Sequence, residues 1–216
     1  MRIKNYLSVV GFLLFSSTLL AQSDIRFSMG LNFVSSPQLR EYINYSAPSN
    51  DLQPEISTYI EFAGEYGYRL NNQFQIGLET AVESKSVNYP AVPSGYVFEY
   101  SLIMPTLIGY YISGSEGYKF KFGFGVGPRF VMVDESVYTN QSETYSSSGY
   151  GLLLKADGST KLSELVYAYI GFDIRYNNLG ELKSSSDKDL VNPNTNQGLS
   201  FNSFSAGIKL GISIIF

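Results

Sequence analysis

From Ile25 to the last residue, apolar and non-apolar side chains alternate with a period of two, in eight segments separated by stretches bearing Ser, Asn, Gly and Pro. A period of two is the side-chain geometry of a β-strand, and eight such strands with turn residues between them predict an all-β chain. The first segment carries Ile25, Phe27, Met29, Leu31 and Phe33 on one face. In every later segment the apolar parity is even. Strand two shows Ile56, Ile60, Phe62, Tyr66 and Tyr68; strand three Phe74, Ile76, Leu78 and Val82; strand four Phe98, Tyr100, Leu102, Met104, Ile108 and Tyr110. Strand five has Phe120, Phe122, Phe124, Val126, Phe130 and Met132, and strand six, the weakest, Tyr150, Leu152, Leu154 and Ala156. Strand seven has Val166, Ala168, Ile170, Phe172, Ile174 and Tyr176. The eighth runs as Ser203-Phe204-Ser205-Ala206-Gly207-Ile208-Lys209-Leu210-Gly211-Ile212-Ser213-Ile214-Ile215-Phe216, to the last residue. Across about 48 positions on this face none is charged, where a chain with 16% charged residues would place about eight. One side of every strand is thus sorted for an apolar solvent.

The connections alternate in length. Short ones fall at Asn71-Asn72-Gln73, Ser113 to Tyr118 and Asp157-Gly158-Ser159-Thr160; longer ones fall at Ser35 to Pro54, Tyr89 to Gly95, Asp134 to Ser148 and Asn177 to Asn202. Short turns on one side, long loops on the other and an even strand number predict an eight-stranded antiparallel up-and-down transmembrane β-barrel. A soluble ligand-binding barrel also has eight strands but turns its apolar face inward. The opposite face argues against that reading. It carries Glu61, Glu65, Glu79, Glu83 and Glu99 against Arg26, Arg69, Lys85, Lys121, Arg129, Lys155, Arg175 and Lys209. Aromatics on the apolar face gather near strand ends: Tyr66, Tyr68, Phe74, Tyr110 and Phe120 on the turn side, Phe33, Phe98, Tyr150, Tyr176 and Phe204 on the loop side. Two such girdles match the two membrane–water interfaces.

Composition removes whole classes of chemistry. Without cysteine there are no disulfides or thiolate sites, and without histidine no imidazole base or ligand. An outer-membrane hydrolase or acyltransferase would have to work with carboxylate or lysine alone, so the chain reads as a non-enzyme with no cofactor and no catalytic or metal residues. Asp187-Lys188-Asp189 lacks the ligand spacing of a calcium loop. The N-terminus has Arg2 and Lys4, an apolar run from Leu7 to Phe15, and small and polar residues ending at Ala21. This predicts a removed signal peptide over 1–21 and a mature domain over 22–216. Losing Arg2 and Lys4 takes the formal net charge from −4 to −6, which disfavours nucleic acid as a partner.

Strand four, Tyr100-Ser101-Leu102-Ile103-Met104-Pro105-Thr106-Leu107-Ile108-Gly109-Tyr110, resembles the aromatic-x-Leu-x-x-Pro-x-Leu-x-x-Tyr pattern of the PorT-like "porin family" outer-membrane barrel domain. The Gly-rich strand five (Gly123, Gly125, Gly127) and the Arg175-Tyr176 pair closing strand seven follow the order expected of that family. Ile103 and Gly109 depart from it, as does Asn178-Leu179-Gly180 after strand seven. The resemblance implies an outer-membrane location and, for some relatives, a part in secretion machinery. Leu210, Ile212, Ile214 and Phe216 also resemble the C-terminal signal read by the barrel-assembly machinery.

An eight-stranded barrel is narrow enough for side chains to fill it. Pairing strands two and three about Asn71-Asn72-Gln73 sets Glu65 near Glu79 and Glu61 near Glu83, unfavourable unless cations reach across. The expectation is an ionic network that plugs the lumen, drawn from Arg26, Glu61, Glu65, Arg69, Glu79, Glu83, Glu99, Lys121, Arg129, Lys155, Asp173, Arg175 and Lys209. The alternative is a thin hydrated channel lined by the same residues. Local bulges are expected at Pro105 and Pro128, which remove ladder donors. Outer-membrane lipid, the barrel-assembly machinery and envelope proteins at the Tyr-, Ser- and Asn-bearing long loops are the expected partners.

Overall fold

A computed structural model describes residues 22–46, 53–89, 95–115, 117–137, 142–193 and 196–216. The expected signal peptide over 1–21 lies outside the described residues.

Eight long strands form the wall: β1 (Ser23–Ser35), β2 (Ser57–Arg69), β3 (Phe74–Tyr89), β4 (Tyr96–Gly114), β5 (Tyr118–Val137), β6 (Ser142–Lys161), β7 (Val166–Leu179) and, after three two-residue strands β8 (Lys183–Ser184), β9 (Val191–Asn192) and β10 (Gln197–Gly198), the closing β11 (Ser203–Ile215). Each pairs antiparallel with its neighbour, and β11 pairs with both β7 and β1. The eight long strands therefore close into a barrel across the belt, the condition for backbone amides to be satisfied in hydrocarbon. Phe216 N donates to Ser23 O at 2.9 Å, extending the closing seam to the last residue.

The outer face carries a continuous apolar belt. Phe27, Met29, Leu31, Phe62, Leu78, Phe122, Phe124, Leu154, Ile170, Leu210 and Ile212 are all exposed on it. Its loop-side limit is legible in each strand, as Val82 gives way to Ser84, Met132 to Asp134 and Tyr150 to Ser148. An apolar surface of this extent on a single chain is stable only against lipid. Strands β1, β2, β7 and β11 have 13 or 14 residues, while β4, β5 and β6 have 19 or 20. About ten residues suffice to cross a bilayer. The β3–β6 side therefore rises as a wall well beyond the belt, and most of the stretch expected as a loop from Asp134 to Ser148 is strand.

Strand β4 departs from the expected parity. Phe98, Tyr100, Leu102, Met104, Ile108 and Tyr110 are buried inside the barrel, while Glu99, Ile103, Leu107 and Tyr111 face outward. The β3 partners explain it: Leu78 lies opposite Leu107 and Glu79 opposite Thr106, so odd positions of β4 share the lipid face. Phe98 and Tyr110 consequently leave the aromatic girdles, and Tyr111 stands at the turn-side interface against Phe74, ring centroids 5.8 Å apart. The bulges also fail to form. The β4–β5 register has the same offset before and after the prolines, with Ile103 opposite Phe130 and Leu107 opposite Val126. No residue is inserted; the ladder is interrupted where Pro105 and Pro128 confront each other.

The interior has two storeys. On the loop side, the inner faces of β3, β4 and β5 pack an apolar core of Phe98, Tyr100, Leu102, Met104, Val131 and Val133. A helix, α1 (Pro37–Ser46), and residues 180–193 and 196–202 close over it, contributing Leu39, Tyr42, Ile43, Leu182, Leu190, Leu199 and Phe201. Ser36 and Pro37 start the helix where a hydroxyl residue and a proline are best tolerated, and Arg40 N bonds Ser36 O at 3.0 Å. On the turn side, the interior is ionic.

Candidate functional site: the charged lumen

The inward parity of β1, β2, β3, β6, β7 and β11 brings charged side chains from around the circumference to one narrow axis. Across the β2–β3 ladder Glu65 faces Glu79 and Glu61 faces Glu83. Cations from the opposite wall reach these carboxylates. Lys155 Nζ lies 2.8 Å from Glu65 and 2.6 Å from Glu79. Arg175 spans Glu79 at 2.7 Å, Glu61 at 3.1 Å and Asp173 at 3.0 Å. Lys209 pairs with Glu61 and, at 2.6 Å, with Asp173. Arg26 pairs with Asp157 at 2.8 Å and Glu65 at 3.5 Å, its guanidinium 4.0 Å over the Tyr169 ring. Nearest the turns, Lys121 holds Asp24 at 2.5 Å.

Neutral groups complete the cluster. Tyr110 donates to Glu65 at 2.8 Å, Tyr100 to Glu83 at 3.1 Å and Asn32 to Glu61 at 2.5 Å. Each charged member from Asp24 to Lys209 is at most 5% exposed. Removing charges from water costs several kcal/mol per ion, and close opposite charges with saturated hydrogen bonds offset that cost. Each carboxylate here meets a cation or a donor.

Three expected members stand elsewhere. Glu99 points outward on β4, where Ser86 donates to it at 2.7 Å, because the parity of that strand is reversed. Arg69 sits at the turn-side rim and makes no ion pair among the described residues, since β2 ends there. Arg129 is fully buried but pairs with no carboxylate among the described residues; it donates to Asn177 Oδ1 at 2.7 Å and to the carbonyls of Pro105 and Pro128, each at 2.9 Å. Two network members escaped the sequence reading. Asp24 shares the inward parity of Arg26, and Asp157 that of Lys155, so parity alone could have found both.

At the C-terminus, Leu210, Ile212 and Phe216 are exposed on the lipid belt and Ile214 is half-buried. Among the described residues, no three or more acidic side chains are grouped to hold a metal ion.

The chain matches no protein-family profile and no curated protein sequence. Solved structures share the fold. Ail, the attachment invasion locus protein of Yersinia pestis, is 14% identical at a TM-score of 0.51, over 90% of this chain and 97% of that one. Neisserial surface protein A is 13% identical at 0.50, over 90% and 97%. OprG from Pseudomonas aeruginosa is 12% identical at 0.50, over 91% and 97%. At these identities the likeness is one of architecture: a small outer-membrane-type β-barrel.

Proposed function

We propose that this protein resides in the outer membrane as a sealed barrel and serves the envelope as a structural or binding protein through its loop-side surface. The observation that carries the reading is the position of Arg175. Its guanidinium reaches Glu61 and Glu79 across the lumen while the packed core and α1 lie over the loop-side end. An interior just wide enough for side chains and bridged by ion pairs leaves no path for solutes. The rest of the thirteen-residue network expected from the sequence belongs to this reading except Arg69, Glu99 and Arg129. The strand-four pattern supports assignment to the PorT-like porin family, with Tyr100, Leu102 and Tyr110 serving the lumen rather than the lipid.

Partners follow from the same picture: lipid at the belt, the barrel-assembly machinery at Leu210, Ile212, Ile214 and Phe216, and envelope proteins at the loop side. Single-channel recording in planar bilayers tests the seal. The expected result is no steady conductance from intact protein; regular conductance steps would favour the narrow channel instead. A barrel component of a secretion complex would be recognised by co-purification of that complex on the tagged barrel.

A further inference from the structure

The turn-side end of the lumen is built unlike the rest. A polar cavity of about 770 Å³ opens there, with Arg69 from the end of β2, Lys119 from the start of β5 and Lys161 from the end of β6 in its wall, beside Asn72, Gln73 and Tyr167. No carboxylate lines it among the described residues. Five of the six buried lumen cations have a carboxylate partner, whereas Arg69, Lys119 and Lys161 have none among the described residues. Lys119 Nζ instead lies 4.8 Å over the Tyr167 ring. Asp24, the acid just below, is already committed to Lys121 at 2.5 Å and to Gln75 at 2.8 Å.

Three cations from three different strands thus converge on one concave polar site in a chain whose acids outnumber its bases. Like charges held together repel, and a cleft with low-dielectric walls concentrates their field on whatever anion enters. We propose that this mouth is a phosphate-binding site, taking a phosphorylated small molecule from the turn-side compartment or the phosphate of a lipid headgroup in the adjacent leaflet. The guanidinium of Arg69 offers a planar fork to two phosphate oxygens, and the two ammonium groups act as compact charges beside it. The amides of Asn72 and Gln73 add uncharged donors. The site does not depend on whether the lumen above it conducts.

The test uses the whole barrel in dodecyl maltoside. Inorganic pyrophosphate is titrated calorimetrically, and native mass spectrometry compares retention of phosphatidylglycerol with that of phosphatidylcholine. Saturable, salt-sensitive pyrophosphate binding identifies a soluble ligand class; selective retention of phosphatidylglycerol without it identifies the lipid headgroup. Arg69→Gln, Lys119→Gln and Lys161→Gln should each weaken the observed binding about fivefold, and the triple variant about a hundredfold. Lys183→Gln with Lys188→Gln, at the loop end, should leave it unchanged. A heat-dependent gel shift confirms that each variant is folded. The proposal is overturned if neither probe binds, if the triple variant binds like the parent, or if the loop-side pair weakens binding as much.

Discussion

Arg129 donates through Nη1 to the carbonyl oxygen of Pro105 on the neighbouring strand, 2.9 Å away. The same nitrogen reaches Pro128 O at 2.9 Å. Neither proline has an amide hydrogen, so the β4–β5 ladder breaks where they meet and leaves carbonyls without ladder donors. A buried guanidinium repairs the break from inside the barrel. The backbones are also unusually close there: a Cβ on Gly127 would stand 2.0 Å from Pro105 O, so only glycine fits.

Arg129→Met should therefore destabilise the barrel by about 1–3 kcal/mol, the cost of leaving a buried polar group unpaired. Arg129→Lys should recover only part of this, because one ammonium cannot serve Asn177 and both carbonyls with the same fork. Gly127→Ala should be worse than either, since backbone must move. Urea titration of the refolded barrel in liposomes, followed by gel mobility, measures all three.

The second prediction concerns the cross-lumen pairs. Removing one partner strands a buried charge, which costs about 3–5 kcal/mol, whereas replacing both partners with apolar groups is often near neutral. Lys209→Met should thus be strongly destabilising, and Lys209→Met combined with Asp173→Asn should regain part of the loss, because Arg175 keeps Glu61 and Glu79. An additive double variant in the same urea assay would show that these two residues do not act together.

The inward turn of the even positions of β4 has a direct consequence for labelling. The chain has no cysteine, so single substitutions report without background. Leu107→Cys should carry a fluorophore that lipid-borne quenchers reach, since Leu107 is 56% exposed on the belt, while Ile108→Cys, at 0%, should be shielded. Quenching in the reverse order would restore the parity expected from sequence.

That strand marks the limit of what the sequence discloses. In the other seven strands the inner face carries at least one charged side chain, such as Arg26, Glu61, Glu79, Arg129, Asp157, Asp173 and Lys209, against an apolar outer face, and the parity that points to lipid is unambiguous. In β4 both faces are apolar over Leu102-Ile103-Met104 and Leu107-Ile108, because its inner face carries no charge: Leu102 and Met104 line the apolar storey, and Tyr110 meets the ionic one through its hydroxyl. Period-two reasoning that takes the lumen as polar then selects the wrong side. The α1 cap was equally readable: Leu39, Tyr42 and Ile43 recur at helical spacing after Ser36-Pro37, yet the stretch passes for a loop among Tyr, Ser and Asn. The acidic pairs Glu65–Glu79 and Glu61–Glu83 were legible from one turn, but which cation answers each was not, since that depends on barrel stagger.

The cap itself should respond to pH. Tyr42 on α1 donates to Glu135 at 2.7 Å, and Glu135 is buried on β5 above the belt, one residue beyond the outward Asp134. Burial is the main cause that holds its carboxyl above the ordinary value of 4.5; hydrogen bonds from Tyr42 and Tyr96 pull it down, and Glu143, directly opposite on β6, pushes it up. A carboxyl whose value is raised in the folded cap binds its proton more tightly there than when the cap is open. Its contribution is therefore full below the ordinary carboxylate value and is lost as pH climbs through the raised one. Amide hydrogen exchange in α1 should accordingly show stronger protection near pH 4.5 than near neutrality, after correction for intrinsic exchange. Glu135→Gln, which cannot ionise, should flatten that dependence while keeping an acceptor for Tyr42. A slope that survives the substitution would show that Glu135 is not the group that sets the response.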